Sequence, residues 1–156
     1  GGSMSSRLFQ EIREKRGLAY AIHSYLAPYR DVGMLGIYVG TSEEHVREVV
    51  GVILDELMRL TRDTLSDREL HSAKELIKGN FLLSMESTDN RMTRLAKNEI
   101  YFCEDIPTEA VVAKIDAVTS EEIRALACDV FNPSAIGLAA IGRISEHDLA
   151  LTILNG

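Results

Sequence analysis

Residues 7–20, RLFQEIREKRGLAY, carry an arginine and a tyrosine seven positions apart, Arg13 and Tyr20. The stretch begins with the spacing of an amphipathic helix and ends with the alternation of a strand. A guanidinium and a phenolic hydroxyl are both hydrogen-bond donors, and such donors can stabilise negative charge on an oxygen. By pattern alone, the simpler interpretation is a surface helix charge and an ordinary strand aromatic.

Other chemistry-bearing residues form no recognised constellation. No two of the four histidines have the one-turn spacing at which both imidazoles reach one zinc ion. The sequence has no G-x-S-x-G motif and no glycine-rich phosphate loop that leads to a lysine. We predict that Cys103 and Cys128 are buried and reduced. Taken alone, the chain therefore shows no complete catalytic apparatus.

The composition is that of a globular domain. The chain has 156 residues, 46% hydrophobic and 26% charged, and we interpret residues 1–156 as a single domain. The net charge of −7 argues against nucleic acid as a partner, because phosphate binding needs a basic surface. No apolar run approaches the roughly 20 residues of a membrane-spanning helix, so we expect no membrane partner.

The chain begins with a predicted helix and hairpin. The helix covers residues 7–16 and stops at Gly17. Alternation then predicts a strand with Tyr20 and Ile22 on the same side. A second strand follows over residues 32–40, and its three glycines indicate close packing or a bulge nearby.

The middle of the chain is predicted to be helical. Capping boxes begin three helices, at Thr41, Ser66 and Thr119. The first of these helices has an apolar stripe of Val46, Val50, Ile53, Leu57 and Leu60. Another helix, over residues 90–102, has an expected inward face of Met92, Leu95, Ala96 and Ile100.

The order of elements predicts the fold class. Strands and helices are segregated, which is typical of an α+β domain with helices packed on one face of an antiparallel sheet. A third strand is predicted over residues 134–143, and one or two helical turns are predicted from Ser145. Three strands make a thin sheet for so many helices. A missing strand would make more sense of this arrangement.

The opening run, GGSMSSRLFQEIREKRGLAYAIHS over residues 1–24, closely resembles the second-half domain of pitrilysin, or insulinase, family (M16) zinc peptidases. Two later runs fit the same pattern: SDRELHSAKELIKGNFLLSMEST over residues 66–88 and NRMTRLAKNEIY over residues 90–101. The processing-peptidase branch is the best match. The resemblance implies that the glycines and Met4 are native and that the chain is part of the C-terminal half of a two-half enzyme. It also implies that a further strand and helix of the domain precede these glycines.

The resemblance also implies a site. In this family the first half binds zinc through H-x-x-E-H, which is absent here, and the second half closes over a peptide substrate. The second half contributes an arginine and a tyrosine seven residues apart, which correspond to Arg13 and Tyr20. As catalytic residues they would stabilise the substrate carbonyl. Ala19, Ala21 and Ile22 are the expected substrate-binding residues, through an added β-strand.

These expectations extend to cofactor, partners and compartment. Zinc belongs to the other half, and this chain alone should be inactive. The zinc-binding half lies on the same chain or on a partner subunit, and a homodimer is left open. The expected compartment is the bacterial cytoplasm, with a mitochondrial or other organelle matrix as the alternative. The competing function is a non-catalytic companion or structural subunit of the same family.

Overall fold

The computed structural model describes residues 2–144. Among these residues the chain forms a π-helix, a two-stranded hairpin and five α-helices, with short 3₁₀ turns before the first α-helix and after the last one. The bounds are Phe9–Glu14 for the π-helix, Ala19–Pro28 for β1, Gly33–Thr41 for β2, Val46–Arg62 for α1, Asp67–Ser84 for α2, Thr88–Phe102 for α3, Thr108–Ala117 for α4 and Ser120–Val130 for α5.

The chain divides into two compact units. The hairpin unit takes its described residues from 1–62 and 127–156, and the helical unit consists of residues 63–126. The interpretation of residues 1–156 as one folding domain stays a prediction. Among residues 2–144, no helix combines the length and apolar character that crossing a membrane requires.

The predicted hairpin is confirmed. β1 and β2 pair antiparallel, and the turn between them is closed by a 2.8 Å hydrogen bond from the Tyr29 amide to the Val32 carbonyl. Directly opposed residues share a face of the sheet. The pair Ile22–Val39 lies on the core face, and His23–Tyr38 lies on the opposite, outer face.

A small apolar core holds the π-helix and α1 against the core face of the hairpin. Ile12 and Val49 are its largest fully buried side chains. Leu8, Leu18, Ala19 and Ile22 complete the buried cluster. The arrangement of helices on one face of an antiparallel sheet confirms the α+β fold class.

The buried stripe of α1 differs from the predicted one. Val49 is buried, and Val52 and Ile53 pack against the core, whereas the predicted Val46 and Val50 are only half-buried. The observed stripe continues to Glu56, a buried carboxylate. The buried face of α1 is therefore rotated by about one residue from the predicted one, with Val49 in the apolar cluster.

Local capping signals gave mixed results. Ser66 Oγ accepts the Glu69 amide at 3.3 Å, and Thr119 and Glu122 form a full capping box. The box predicted at Thr41 is wrong, because Thr41 belongs to β2 and its hydroxyl donates to the Leu18 carbonyl. Strand pairing thus overrides a local capping motif.

Two further expectations are wrong. The strand predicted over residues 134–143 is absent: a 3₁₀ turn covers Pro133–Ala135, and residues 136–143 have no regular secondary structure. A strand needs a neighbour for its backbone groups, and within residues 2–144 only β1 and β2 pair. Cys103 and Cys128 are free but exposed; Cys103 follows the end of α3 with φ of 52°. The predicted turns from Ser145 lie outside the described residues.

The helical unit confirms the helices but not their inward faces. The α3 residues Met92, Leu95 and Ile100 are all more than half exposed, and Ala96 is exposed too. α2 and α4 are joined instead by polar contacts, since Lys78 Nζ lies 2.7 Å from Asp116 Oδ1. Apolar spacing alone does not tell whether a partner surface covers the stripe.

Candidate functional site

A helix-to-strand junction creates the candidate site. Gly17 lies in the turn that follows the π-helix and adopts φ of +62°. The Gly17 amide donates to the Arg13 carbonyl at 3.1 Å, and the Leu18 amide donates to the Ile12 carbonyl at 2.9 Å. The Gly17 bond is that of an αL C-cap, in which a left-handed residue after the helix donates back to the last turn. It sets β1 at a defined angle to the helix that carries Arg13.

The π-helix is itself anchored at both sides. Ser6 Oγ accepts the Phe9 amide at 3.4 Å, which caps the first turn. Glu56 on α1 accepts from Arg59 Nη1 at 2.8 Å and lies 3.9 Å from Arg7 Nη1. The buried carboxylate therefore ties the start of this segment to α1.

Arg13 and Tyr20 lie together on the surface. The Arg13 guanidinium carbon is 5.8 Å from the centroid of the Tyr20 ring and 4.8 Å from that of Phe9. Both distances fall within the range of cation–π attraction. The guanidinium is thus held by two aromatic rings while it remains exposed.

A β-bulge directs Tyr20 into solvent. The register passes from Ala19↔Thr41 to Ala21↔Gly40, so Tyr20 is the one residue of β1 without a directly opposed partner. Its side chain is 87% exposed. Bulges are common beside active sites, where they re-aim a side chain. The sequence had indicated a bulge through its glycines, but not where it falls.

The bulge also corrects the predicted faces of β1. Tyr20 and Ile22 were expected on the same side, yet Ile22 is buried together with Ala19. The inserted residue breaks the strict alternation of a strand, because two residues of β1 now face one of β2. Ala21 is half-buried on the outer face. Any contact of Ala19 or Ile22 with a substrate would therefore use their backbone atoms.

The charges around the junction leave Arg13 available. The Lys15 ammonium, hydrogen-bonded to Glu11, lowers the pKa of the Glu11 carboxyl, and Arg16 acts in the same direction. Arg16 Nη1 lies 2.9 Å from Glu11 Oε2. Among the described residues, Arg13 has no carboxylate partner. Within residues 2–144, the contacts seen for its guanidinium are with the rings of Phe9 and Tyr20.

The described residues offer no metal site. Within residues 2–144 there is no group of three or more histidine, cysteine, aspartate or glutamate side chains that could hold an ion. What the junction can offer chemically is a cation and a phenolic donor, side by side and open to solvent.

The prediction from sequence missed some members of this surface. Phe9 was not among the predicted site residues, yet its ring is a partner of Arg13. The outer-face rings of His23, Tyr25 and Tyr38 were not singled out. The available signal was the pattern of glycines in β2, because Gly36 leaves room for the ring of Tyr25.

Comparisons with known proteins identify the relatives. Residues 1–77 match the family model described as the peptidase M16 inactive domain. The chain is 41% identical over 131 residues to an uncharacterized zinc protease of Bacillus subtilis, covering 84% of this chain and 32% of the relative. It is 38% identical over 148 residues to an uncharacterized zinc protease of Streptomyces coelicolor, covering 94% of this chain and 32% of the relative. The chain thus spans about a third of the length of these curated relatives.

Solved structures show the same fold. A crystal structure of the peptidase M16 inactive domain from Pseudomonas fluorescens aligns with TM-score 0.75 and 25% identity, over 85% of this chain and 31% of that one. A chain of complex III2 from Candida albicans, with Inz-5 bound, aligns with TM-score 0.70 and 16% identity, over 82% of this chain and 32% of that one. The family match, the named zinc-protease relatives and the shared fold lead to one conclusion: the chain belongs to the peptidase M16 family, with the inactive domain of that family at its N-terminal half.

Proposed function

We propose that this chain is the substrate-closing part of a zinc-dependent endopeptidase, and that Arg13 and Tyr20 act on the peptide being cleaved. The observation that carries the proposal is the placement of the Arg13 guanidinium 5.8 Å from the ring of an exposed tyrosine. The family membership supports peptide as the substrate class. The relatives' printed names support zinc as the metal of the whole enzyme.

The chemistry follows from the two donor types. Attack on a peptide bond builds negative charge on the carbonyl oxygen, and a donor aimed at that oxygen lowers the barrier. The Tyr20 hydroxyl can donate one hydrogen bond to it, while the planar Arg13 guanidinium can hold the neighbouring backbone carbonyl or the charge itself. Phe9 helps by fixing the guanidinium before substrate arrives.

Zinc does not fit the described part of this chain. No cluster of ligands is present among residues 2–144, so we assign the metal to another part of the protein and derive no step through it here. That part is the zinc-binding half, on the same chain or on a partner subunit. We place the protein in the bacterial cytoplasm, since the named relatives are bacterial, and a homodimer is testable by sedimentation.

The direct test is Tyr20→Phe in the full-length protein, which removes the donor and keeps the ring beside Arg13. We expect kcat for a peptide to fall roughly 10²–10³-fold, as for loss of one oxyanion donor. The matched control is Tyr29→Phe, at an exposed tyrosine in the hairpin turn, which should leave kcat unchanged.

Full turnover by Tyr20→Phe would remove Tyr20 from the mechanism. If the wild-type protein hydrolyses no peptide while it binds a homologous subunit, the companion-subunit alternative is favoured instead. Metal content and thermal midpoint, measured on each variant, separate a chemical effect from misfolding.

A further inference from the structure

The outer face of the hairpin carries a row of aromatic rings. Three register pairs make up this part of the face: Ala21–Gly40, His23–Tyr38 and Tyr25–Gly36. The His23 ring centroid is 5.1 Å from that of Tyr38 and 6.2 Å from that of Tyr25. We call His23, Tyr25 and Tyr38 the aromatic strip.

Glycines of β2 lie beside two rings of the strip. A Cβ atom at Gly36 would fall 2.3 Å from Tyr25 Cζ, so the tyrosine ring occupies the space above the glycine backbone. A Cβ at Gly40 would be 3.8 Å from Tyr38 Oη, which leans in the direction of the bulge. One face of the Tyr25 ring therefore rests on backbone, and the strip stays low and open.

The strip is exposed and carries no fixed charge. Tyr25 is 45% exposed and Tyr38 53% exposed, and His23 is exposed as well. None of the six paired residues is an acid, a lysine or an arginine, in a chain that is 26% charged overall. An acidic side chain placed here would lose water and meet no opposite charge among these six residues. The exposed rings offer apolar contact area for a large apolar side chain.

The strip continues from the candidate site. His23 and Tyr25 follow Tyr20 by three and five positions, or about 10 and 16 Å at the usual rise of a strand. An extended peptide has nearly the same rise per residue. A peptide whose carbonyl lies at Tyr20 and that runs along the hairpin would thus reach the strip three to five residues from that carbonyl.

We propose that the aromatic strip is a specificity site that takes an aromatic or large aliphatic side chain of the peptide substrate, three to five residues from the bond that is cleaved. This inference rests on the proposed function and adds a substrate preference to it. Tyrosine is suited to the role because it gives a large, rigid contact area with little loss of conformational entropy.

The experiment uses the full-length protein and quenched fluorescent peptides that share one cleavage site. A single phenylalanine is moved through each of the six positions on either side, in a background of serine and alanine, and kcat/KM is compared with the peptide that lacks phenylalanine. We expect about a 10-fold preference at positions three to five on one side, the lower end of what an apolar site discriminates. The double variant Tyr25→Ser/Tyr38→Ser should reduce that preference to about one-fold.

Two controls separate recognition from folding. Tyr29→Ser, at an exposed tyrosine of the turn outside the strip, should keep the preference, and so should Tyr38→Phe, which retains the ring. A peptide too short to reach the strip, with two residues on either side of the bond, should be cleaved equally by wild type and by the double variant.

Three results would overturn the inference. One is a wild-type preference that is flat across all positions, and another is an equal loss by the double variant on short and long peptides. The third is an unchanged preference with an altered oligomeric mass or thermal midpoint, which means that another segment or a second copy covers the strip. The preference is a ratio between peptides and is measured separately from the effect of Tyr20→Phe on kcat. The preference can therefore be absent while Tyr20→Phe lowers kcat, or be present while Tyr20→Phe leaves kcat unchanged.

Discussion

The hairpin unit and the helical unit differ in what positions their elements. In the hairpin unit, the π-helix, β1 and α1 share a buried apolar cluster that contains Ile12 and Val49. All residues of the helical unit, 63–126, are described. No apolar side chain among them is buried, and Asn98 is the one buried residue.

The contacts seen in the helical unit include helix caps and exposed ion pairs. Ser66, Ser87 and Thr119 each accept a backbone amide at a helix start, and Lys78 lies within ion-pair distance of Glu75 and Asp116. Exposed ion pairs contribute little to stability, typically below about 1 kcal/mol each. The comparison indicates that close apolar packing determines the backbone register at the candidate site, whereas helix capping determines only the residue at which each helix begins.

The largest effect that would sharpen this contrast is expected from matched core and surface substitutions. Ile12→Ala should destabilise the hairpin unit by about 2–5 kcal/mol, because it leaves a cavity at a fully buried position. Ile77→Ala in α2, where the side chain is 53% exposed, should change the free energy of opening by about 0.5 kcal/mol or less. Hydrogen exchange of peptides from β1 and from α2, in the full-length protein, measures both. Similar losses at the two sites would show that the helical unit has an apolar core as well.

A second pair of substitutions should give opposite signs. A Cβ atom at Gly17 or at Gly79 would meet no atom within 4 Å, so only the backbone distinguishes them. Gly17→Ala forces a left-handed conformation at φ of +62° and should destabilise by about 1–2 kcal/mol. Gly79→Ala, inside α2, should stabilise by about 0.5–1 kcal/mol.

Thermal unfolding of the two glycine variants, with hydrogen exchange to localise the effect, measures this prediction. Gly17→Ala should also separate Arg13 from Tyr20 and so lower peptide turnover, which Gly79→Ala should not do. A neutral Gly17→Ala would mean that the left-handed turn at Gly17 does not control the junction.

The smallest effect concerns pH. The pKa of Glu11 in the hairpin unit is lowered chiefly by the Lys15 side chain, and that of Glu122 chiefly by the Thr119 backbone amide. A lowered pKa favours the charged form in the folded state. Each carboxylate therefore adds stability above its unfolded pKa of about 4.3, and that stability is lost as the pH falls through the lower folded value.

Salt should distinguish the two carboxylates. At about 1 M salt the screening length falls to about 3 Å, so the pKa of Glu11 should rise towards its ordinary value. The pKa of Glu122 should move less, because it is lowered chiefly by a neutral backbone amide, which carries no net charge for salt to screen. A carbon-13 NMR titration assigned with Glu11→Gln and Glu122→Gln measures both, and equal salt shifts would contradict the contrast.

Two residues of the candidate site could be proposed from the sequence, but their geometry could not be predicted. Arg13 and Tyr20 could be named from spacing and resemblance, and Gly17 marked the end of the helix. The bulge at Tyr20 could not be located, because it depends on which residue of β1 opposes Gly40 and Thr41. That register is set by packing Ala19 and Ile22 into the core, which is a non-local requirement.

The same division holds across the chain. By itself the sequence determined the helices, the hairpin and two of the three predicted capping boxes, because each of these depends on residues within a few positions of one another. Only the tertiary structure decided that Thr41 belongs to a strand and that Tyr20 turns outward beside Arg13. It also decided that residues 134–143 pair with no strand in the described part of the chain, residues 2–144. Those outcomes depend on which distant surfaces meet, since burial and strand pairing are satisfied by partners far away in the sequence.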